Sequence, residues 1–169
     1  MEMPKKLVAE RIHDGKVRIL KNLEVLEAKN HLLGQYESYK EEAQKAGLKE
    51  GKIETFAKIV LNCKIDKWDG VKLILRTGKK LKKKYGQIML NYKPVNLEGK
   101  VSSLIPNKII IDIYPKQDVI MWMNTRSPFE NDPLKSVKFE FCRECEFGPN
   151  TTDEYSTLLE DVINGDKML

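Results

Sequence analysis

The run Arg76-Thr77-Gly78-Lys79 sets two cations around a glycine, and Lys80, Lys82, Lys83 and Lys84 follow closely. Guanidinium and ammonium groups held at a strand's end can meet a phosphate, and a glycine without a side chain lets it approach. The chemistry implied is anion binding rather than bond breaking. The run is not a nucleotide P-loop, because Gly70 and Gly78 are too far apart and Lys79 is followed by Lys80 instead of Ser or Thr. No Gly-x-Gly-x-x-Gly occurs among the 169 residues, so they show no Rossmann fingerprint.

Three further groups could carry chemistry. His31, in Asn30-His31-Leu32-Leu33, could act as a general base, since imidazole titrates near neutrality. No acidic residue can be assigned to orient it, and a histidine beside leucines reads as structural. Cys142-Arg143-Glu144-Cys145 supplies two of the four ligands that zinc needs, and Cys63, His13 and His31 lack finger spacing. In a continuing strand, positions three apart point to opposite faces, which prevents chelation and a disulfide unless the backbone turns there. The lysine run could face a polyanion, but a single-strand binder interleaves exposed aromatics and Tyr85 alone lies close by. No metal site and no nucleic-acid partner are expected.

The elements that must hold these groups follow from the apolar pattern. Asp69-Gly70 predicts a turn and Val71–Arg76 a strand, with Val71, Leu73 and Leu75 on one face and Ile74 on the other. Ile53–Cys63, rich in β-branched and aromatic residues, should pair with it as a hairpin. Gln87–Tyr92, Lys108–Tyr114, Val119–Asn124 and Val137–Phe141 read as further strands. Lys108–Tyr114 is apolar on both sides apart from Asp112, as in a central strand covered on both faces.

Pro94–Pro106 and Pro128–Pro133 read as loops, and Pro115-Lys116-Gln117-Asp118 as a turn. Val17, Leu20, Leu23 and Leu26 predict a helix between Asp14 and Asn30, with Asp14 as N-cap. Glu41, Glu42 and Lys45 suit a short surface helix or an ordered loop. Thr151 with Glu154 forms a capping box ahead of a helix through Tyr155, Leu158, Leu159, Val162 and Ile163. The expected class is α+β, a mainly antiparallel sheet of about six strands with helices near both chain ends. One domain over residues 1–169 is expected, long enough to bury roughly 70% of its unfolded surface in a single core.

A net charge of +5 favours anionic partners, and with 41% hydrophobic and 33% charged residues the chain has no apolar run long enough to cross a bilayer. The start Met1-Glu2-Met3-Pro4-Lys5-Lys6 lacks secretory-signal features, and three cysteines, an odd number, fit a reducing compartment. The expectation is a cytoplasmic protein with no membrane contact.

Taken together, several stretches resemble the C-terminal substrate domain of glucose-6-phosphate dehydrogenase. They are Met1-Glu2-x-Pro4, Lys16-Val17-x-x-Leu20, Leu33-Gly34-Gln35-Tyr36, Thr55-Phe56-Ala57, and Trp68-Asp69-Gly70-Val71 through Lys79-x-Leu81. Asn107 with the isoleucine strand into Pro115, and Asp153-x-Tyr155-x-x-Leu158-Leu159-x-Asp161-Val162 with Gly165-Asp166, continue in the family's order. That family oxidises glucose 6-phosphate to the lactone with NADP, and its subunits pair through the large sheet of this domain.

The resemblance implies that Lys79 and Lys84 bind the substrate, with Arg76 beside them, and that the chain forms a homodimer through the sheet. The family's nucleotide-binding domain and catalytic histidine lie upstream of the Met-Glu-x-Pro start, and His31 stands at a different place in the order. No catalytic residue is therefore assigned. NADP belongs to the full-length family, and none is expected to bind this chain alone. Tyr114 stands where many members have a substrate-contacting glutamine, and Tyr85, Met89 and Asp112 replace the cations of the second, structural NADP site of animal members. The chain reads as the substrate and dimerisation portion of such an enzyme, inactive alone; the alternative is a non-catalytic scaffold that has lost sugar-phosphate binding.

Overall fold

A computed structural model describes residues 6–48, 51–94, 106–128, 134–148 and 154–167. They fall into two compact units, Met1–Lys82 with Leu158–Leu169, and Lys83–Thr157. Each unit holds one four-stranded antiparallel sheet, and helices stand near both chain ends, so the class is α+β as expected.

In the first unit, helix α1 (Ala9–Lys21) starts before and ends before the predicted one. Asp14 lies inside it and caps nothing. Asn22 ends it, its side-chain amide donating to the Arg18 carbonyl at 2.8 Å and its backbone N–H to Ile19. The half-buried stripe runs through Ile12, Gly15 and Ile19, whereas Leu20 is 65% exposed. The residues that continued the predicted stripe become a strand, β1 (Leu23–Val25), because β3 (Phe56–Cys63) offers them a sheet edge.

Strand β2 (Leu32–Gly34) pairs with the other end of that same edge, and β4 (Leu73–Gly78) with the opposite one. The hairpin expected between β3 and β4 is present, with Ile59 across from Leu75 and Lys58 across from Arg76. Successive residues Val60 and Leu61 are both buried, so both faces of β3 are covered there, and Cys63 is 1% exposed. Trp68 to Val71 close a turn by a 3.0 Å backbone hydrogen bond, with Gly70 at φ +72°. That left-handed position suits glycine, and the turn delays the strand to Leu73.

In the second unit the strands run β5 (Gly86–Asn91), β6 (Lys108–Tyr114), β7 (Val119–Arg126) and β8 (Leu134–Phe141), in that order. The registers Ile88–Ile111–Val119–Phe141 and Leu90–Ile109–Met121–Phe139 place one apolar side chain from every strand on the same face. This face is uncovered: Phe139 is 56% exposed and Ile113 51%. β6 is interior in strand order, yet the expected cover on both sides is not found among the described residues. The four buried apolar residues among those described, Ala43, Val60, Leu61 and Cys63, all lie in the first unit. Among the described residues, the buried apolar side chains thus gather around β3, and the second sheet contributes none.

A short helix, α2 (Tyr39–Lys45), forms where a helix or an ordered loop fitted equally well. Beyond β8 come α3 (Arg143–Phe147) and α4 (Glu154–Asn164). The capping pair of Thr151 with Glu154, the Met-Glu-x-Pro start, and most of both predicted proline-rich loops lie outside the described residues.

Candidate functional site

Two cationic positions emerge, one in each unit. In the first unit, Thr55 organises the end of β4. Its backbone N–H donates to the Gly34 carbonyl at 2.9 Å, its hydroxyl accepts from the Tyr36 N–H at 3.0 Å, and its carbonyl accepts from the Lys79 N–H at 2.8 Å. Gly34-Gln35-Tyr36, Thr55 and Gly78-Lys79 are thereby drawn into one place. The Lys79 backbone is pinned while its side chain is exposed. Arg76 is exposed on β4, directly across from Lys58.

Gly78 is there for space. Its φ lies outside the left-handed region, and an added Cβ would stand 2.8 Å from the Phe56 ring and 3.3 Å from Leu81. This packing reason stands beside the expectation that the glycine lets a ligand approach. Gly78→Ala should cost about 1–3 kcal/mol by forcing Phe56 aside, read as a lower denaturation midpoint with an unchanged slope.

Lys80, part of the lysine run weighed above as a polyanion contact, is a structural cation. At φ +51° it turns its ammonium onto the Glu42 carboxylate and the Ser38 hydroxyl, 4.5 Å from the Tyr36 ring centre. Tyr36 and Ser38 also donate to Glu42, at 3.0 and 2.8 Å. The Lys80 hydrogen bond, followed by those of Ser38 and Tyr36, holds the Glu42 carboxyl down to about 2. The same carboxylate, as their partner, raises the Tyr36 phenol and the Lys80 ammonium.

A carboxyl depressed in the folded state adds stability that is fully present above its ordinary value of 4.5 and is lost as pH falls toward 2. Acid titration should therefore loosen α2 from the Lys79 loop across that window. Glu42→Gln should remove the pH dependence, as followed by the Tyr36 ring resonances.

His31 is bound at both ring nitrogens. Nε2–H donates to the Leu26 carbonyl at 2.6 Å, and Nδ1 accepts a long hydrogen bond from the Val60 N–H at 3.4 Å. The ring thus ties the segment before β2 to β3, and neither nitrogen is left to take a proton from a substrate.

In the second unit, Lys84 stands at the entrance of β5 with its ammonium 4.9 Å from the Tyr114 ring centre. Beside it is an open depression of about 570 Å³ lined by Lys83, Lys84, Tyr85, Gln87, Asp112 and Pro115. Asp112 Oδ1 is buried there without a hydrogen-bond partner among the described residues. Two ammonium groups and one carboxylate acceptor in a shallow recess suit a ligand with both anionic oxygens and hydroxyl donors. Of the residues nominated from sequence, Arg76 and Lys79 share a unit and Lys84 belongs to the other. The Tyr36–Glu42–Lys80 cluster and the stacking of Lys84 on Tyr114 carry no local sequence signal.

All 169 residues match the family model for the glucose-6-phosphate dehydrogenase C-terminal domain. Glucose-6-phosphate 1-dehydrogenase of Buchnera aphidicola from Acyrthosiphon pisum is 32% identical over 98% of this chain and 37% of that protein. Its counterpart in Mycolicibacterium smegmatis is 29% identical over 100% of the chain and 37% of that protein. The chain thus spans a little over a third of the relatives it matches. Two solved structures share its fold. A glucose-6-phosphate dehydrogenase in complex with its substrate glucose-6-phosphate has a TM-score of 0.83 at 23% identity, over 99% of this chain and 36% of the other. A glucose-6-phosphate 1-dehydrogenase from Mycobacterium avium has a TM-score of 0.78 at 22% identity, again over 99% and 36%.

Proposed function

Since this chain belongs to the glucose-6-phosphate dehydrogenase C-terminal domain family, we propose that it supplies part of a sugar-phosphate site and the subunit-pairing sheet of an NADP-dependent dehydrogenase. The single observation that carries the reading is the family match along the whole chain. Lys79 and Lys84 are the proposed substrate cations, and Arg76 adds positive charge beside Lys79. Their chemistry is positioning: ammonium groups meet the phosphate or sugar oxygens and hold the sugar for a hydride transfer that other parts of the enzyme perform. NADP supplies the hydride acceptor in the whole enzyme. The 169 residues alone are proposed to be inactive, and the setting is proposed to be cytoplasmic.

The uncovered face of the second sheet supports pairing with another copy of the chain. Strands about 4.8 Å apart with a rise of about 3.3 Å per residue give it roughly 400 Å² in projection, more than scattered surface apolar residues account for. The scaffold alternative keeps this face and loses the sugar phosphate.

Titration of the chain with glucose 6-phosphate, followed by NMR, separates the two. Shifts centred on Lys79 and Lys84 are expected; a silent titration by a stable dimer would leave the scaffold. Production of NADPH by the purified chain would overturn the assignment of inactivity.

A further inference from the structure

The pair Cys142–Cys145 does not stay in the strand. The backbone turns out of β8 at Cys142 and enters α3 at Arg143, and this turn brings the two sulfurs into a disulfide. The opposite-faces argument from sequence is lifted by the turn it named as its exception. Cys145 is exposed and Cys142 half-buried. A chain expected in a reducing compartment therefore carries a disulfide whose Cys145 is an exposed residue.

The disulfide is mechanically connected. Helix α3 has five residues, too few to persist without outside support. Cys142 Sγ accepts from the Cys145 N–H at 3.2 Å, and Phe147 packs edge-on against Phe141 at 6.3 Å. From this cross-linked turn, the Arg143 N–H donates to Asp118 Oδ1 at 3.2 Å and the Arg143 guanidinium donates to Gln117 Oε1. Asp118 is 5% exposed, and its carbonyl accepts from the Asp112 N–H at 2.8 Å. Gln117 and Asp118 form the turn between β6 and β7. Its first residue, Pro115, lines the Lys84 depression together with Asp112.

We propose that Cys142–Cys145 is a thiol–disulfide exchange site for a dithiol reductant, and that its state sets the β6–β7 turn beside the Lys84 depression. A donor thiolate attacks Cys145 Sγ, the sulfur–sulfur bond breaks, and Cys142 leaves as a thiolate that takes up a proton. The donor's second thiol resolves the mixed disulfide and releases Cys145. Two electrons and two protons pass from the donor, which leaves as its own disulfide. Reduction removes the covalent tie from a helix too short to hold itself, and the Arg143 contacts to Gln117 and Asp118 loosen with it.

The test needs no sugar phosphate, so its result is independent of the function proposed above. The full chain is exposed to millimolar dithiothreitol or to its oxidised form, then alkylated and mapped by mass spectrometry, and the backbone amides of Tyr114, Gln117, Asp118 and Arg143 are followed by NMR. Reduction without loss of far-UV circular dichroism is expected to raise alkylation of both cysteines at least about tenfold. It should also move the four amide signals toward their positions in Cys145→Ser. If that variant does not fold, reduced and oxidised wild-type chain are compared directly. The proposal is overturned by a pair that stays reduced in the oxidised reagent, by a disulfide that yields only on unfolding, or by amide signals identical in the two states.

Discussion

Replacing Phe139 by glutamate should turn a dimer of this chain into a monomer, as read by light scattering across a dilution series. Phe139 lies on the edge strand β8 of the uncovered face, across from Met121 in the register that also holds Leu90 and Ile109. A carboxylate there would lose water on association and find no partner among isoleucine, methionine and leucine. The cost is about 3 kcal/mol or more, a roughly hundredfold weaker dimer. Glu140→Gln, one residue along and on the other face, should leave association unchanged.

Because the second unit has no buried apolar side chain among its described residues, its stability should depend on association if a second copy covers the sheet as proposed. Its melting temperature should therefore rise with protein concentration in the wild type and lose that dependence in Phe139→Glu. A wild-type chain that is monomeric at every concentration would overturn pairing of two copies through this sheet.

Truncating the two nominated ammonium groups carries the other large effect. A hydrogen bond to a charged group contributes about 1.5–3 kcal/mol, so Lys79→Ala and Lys84→Ala should each weaken glucose 6-phosphate binding by about 10–150-fold. Calorimetry on the full chain measures this. The two positions differ in what holds the cation. Lys79 has a backbone fixed through Thr55 and an exposed side chain, so its loss should change affinity and leave the fold alone.

Lys84 rests on the Tyr114 ring, and Tyr114→Leu should weaken binding through a less ordered ammonium, while Tyr114→Phe keeps the aromatic face and most of the affinity. Lys82→Ala, an exposed neighbour that does not line the Lys84 depression, is the control. Equal losses in Lys82→Ala and Lys79→Ala would mean that bulk positive charge, rather than a formed site, attracts the sugar phosphate.

Much of this molecule was legible in the order of its residues. All six strands that the apolar alternation indicated are present, and the Asp69-Gly70 turn and the β3–β4 hairpin stand where expected, because each depends on neighbours within a few positions. The family, too, was readable from short motifs strung along the whole chain. Strands β1 and β2 were not legible. They are three residues each, and it is the exposed edge of β3, more than twenty positions away, that makes them strands.

The same division runs through the candidate sites. Sequence identified which side chains carry charge, since charge belongs to the residue type. It could not assign their tasks, because Lys79 and Lys80 are chemically alike and adjacent. Tertiary structure separates them: a left-handed backbone at Lys80 aims its ammonium at Glu42, while Lys79 is left facing solvent. It also decided that Gly78 answers to Phe56, that His31 is held at both nitrogens, and that Cys142 meets Cys145. Local pattern settles what a short segment can become, since backbone sterics and side-chain periodicity act over a few residues. Partnership across the fold settles what each side chain does, since distance in space is set by pairings that the local pattern does not contain.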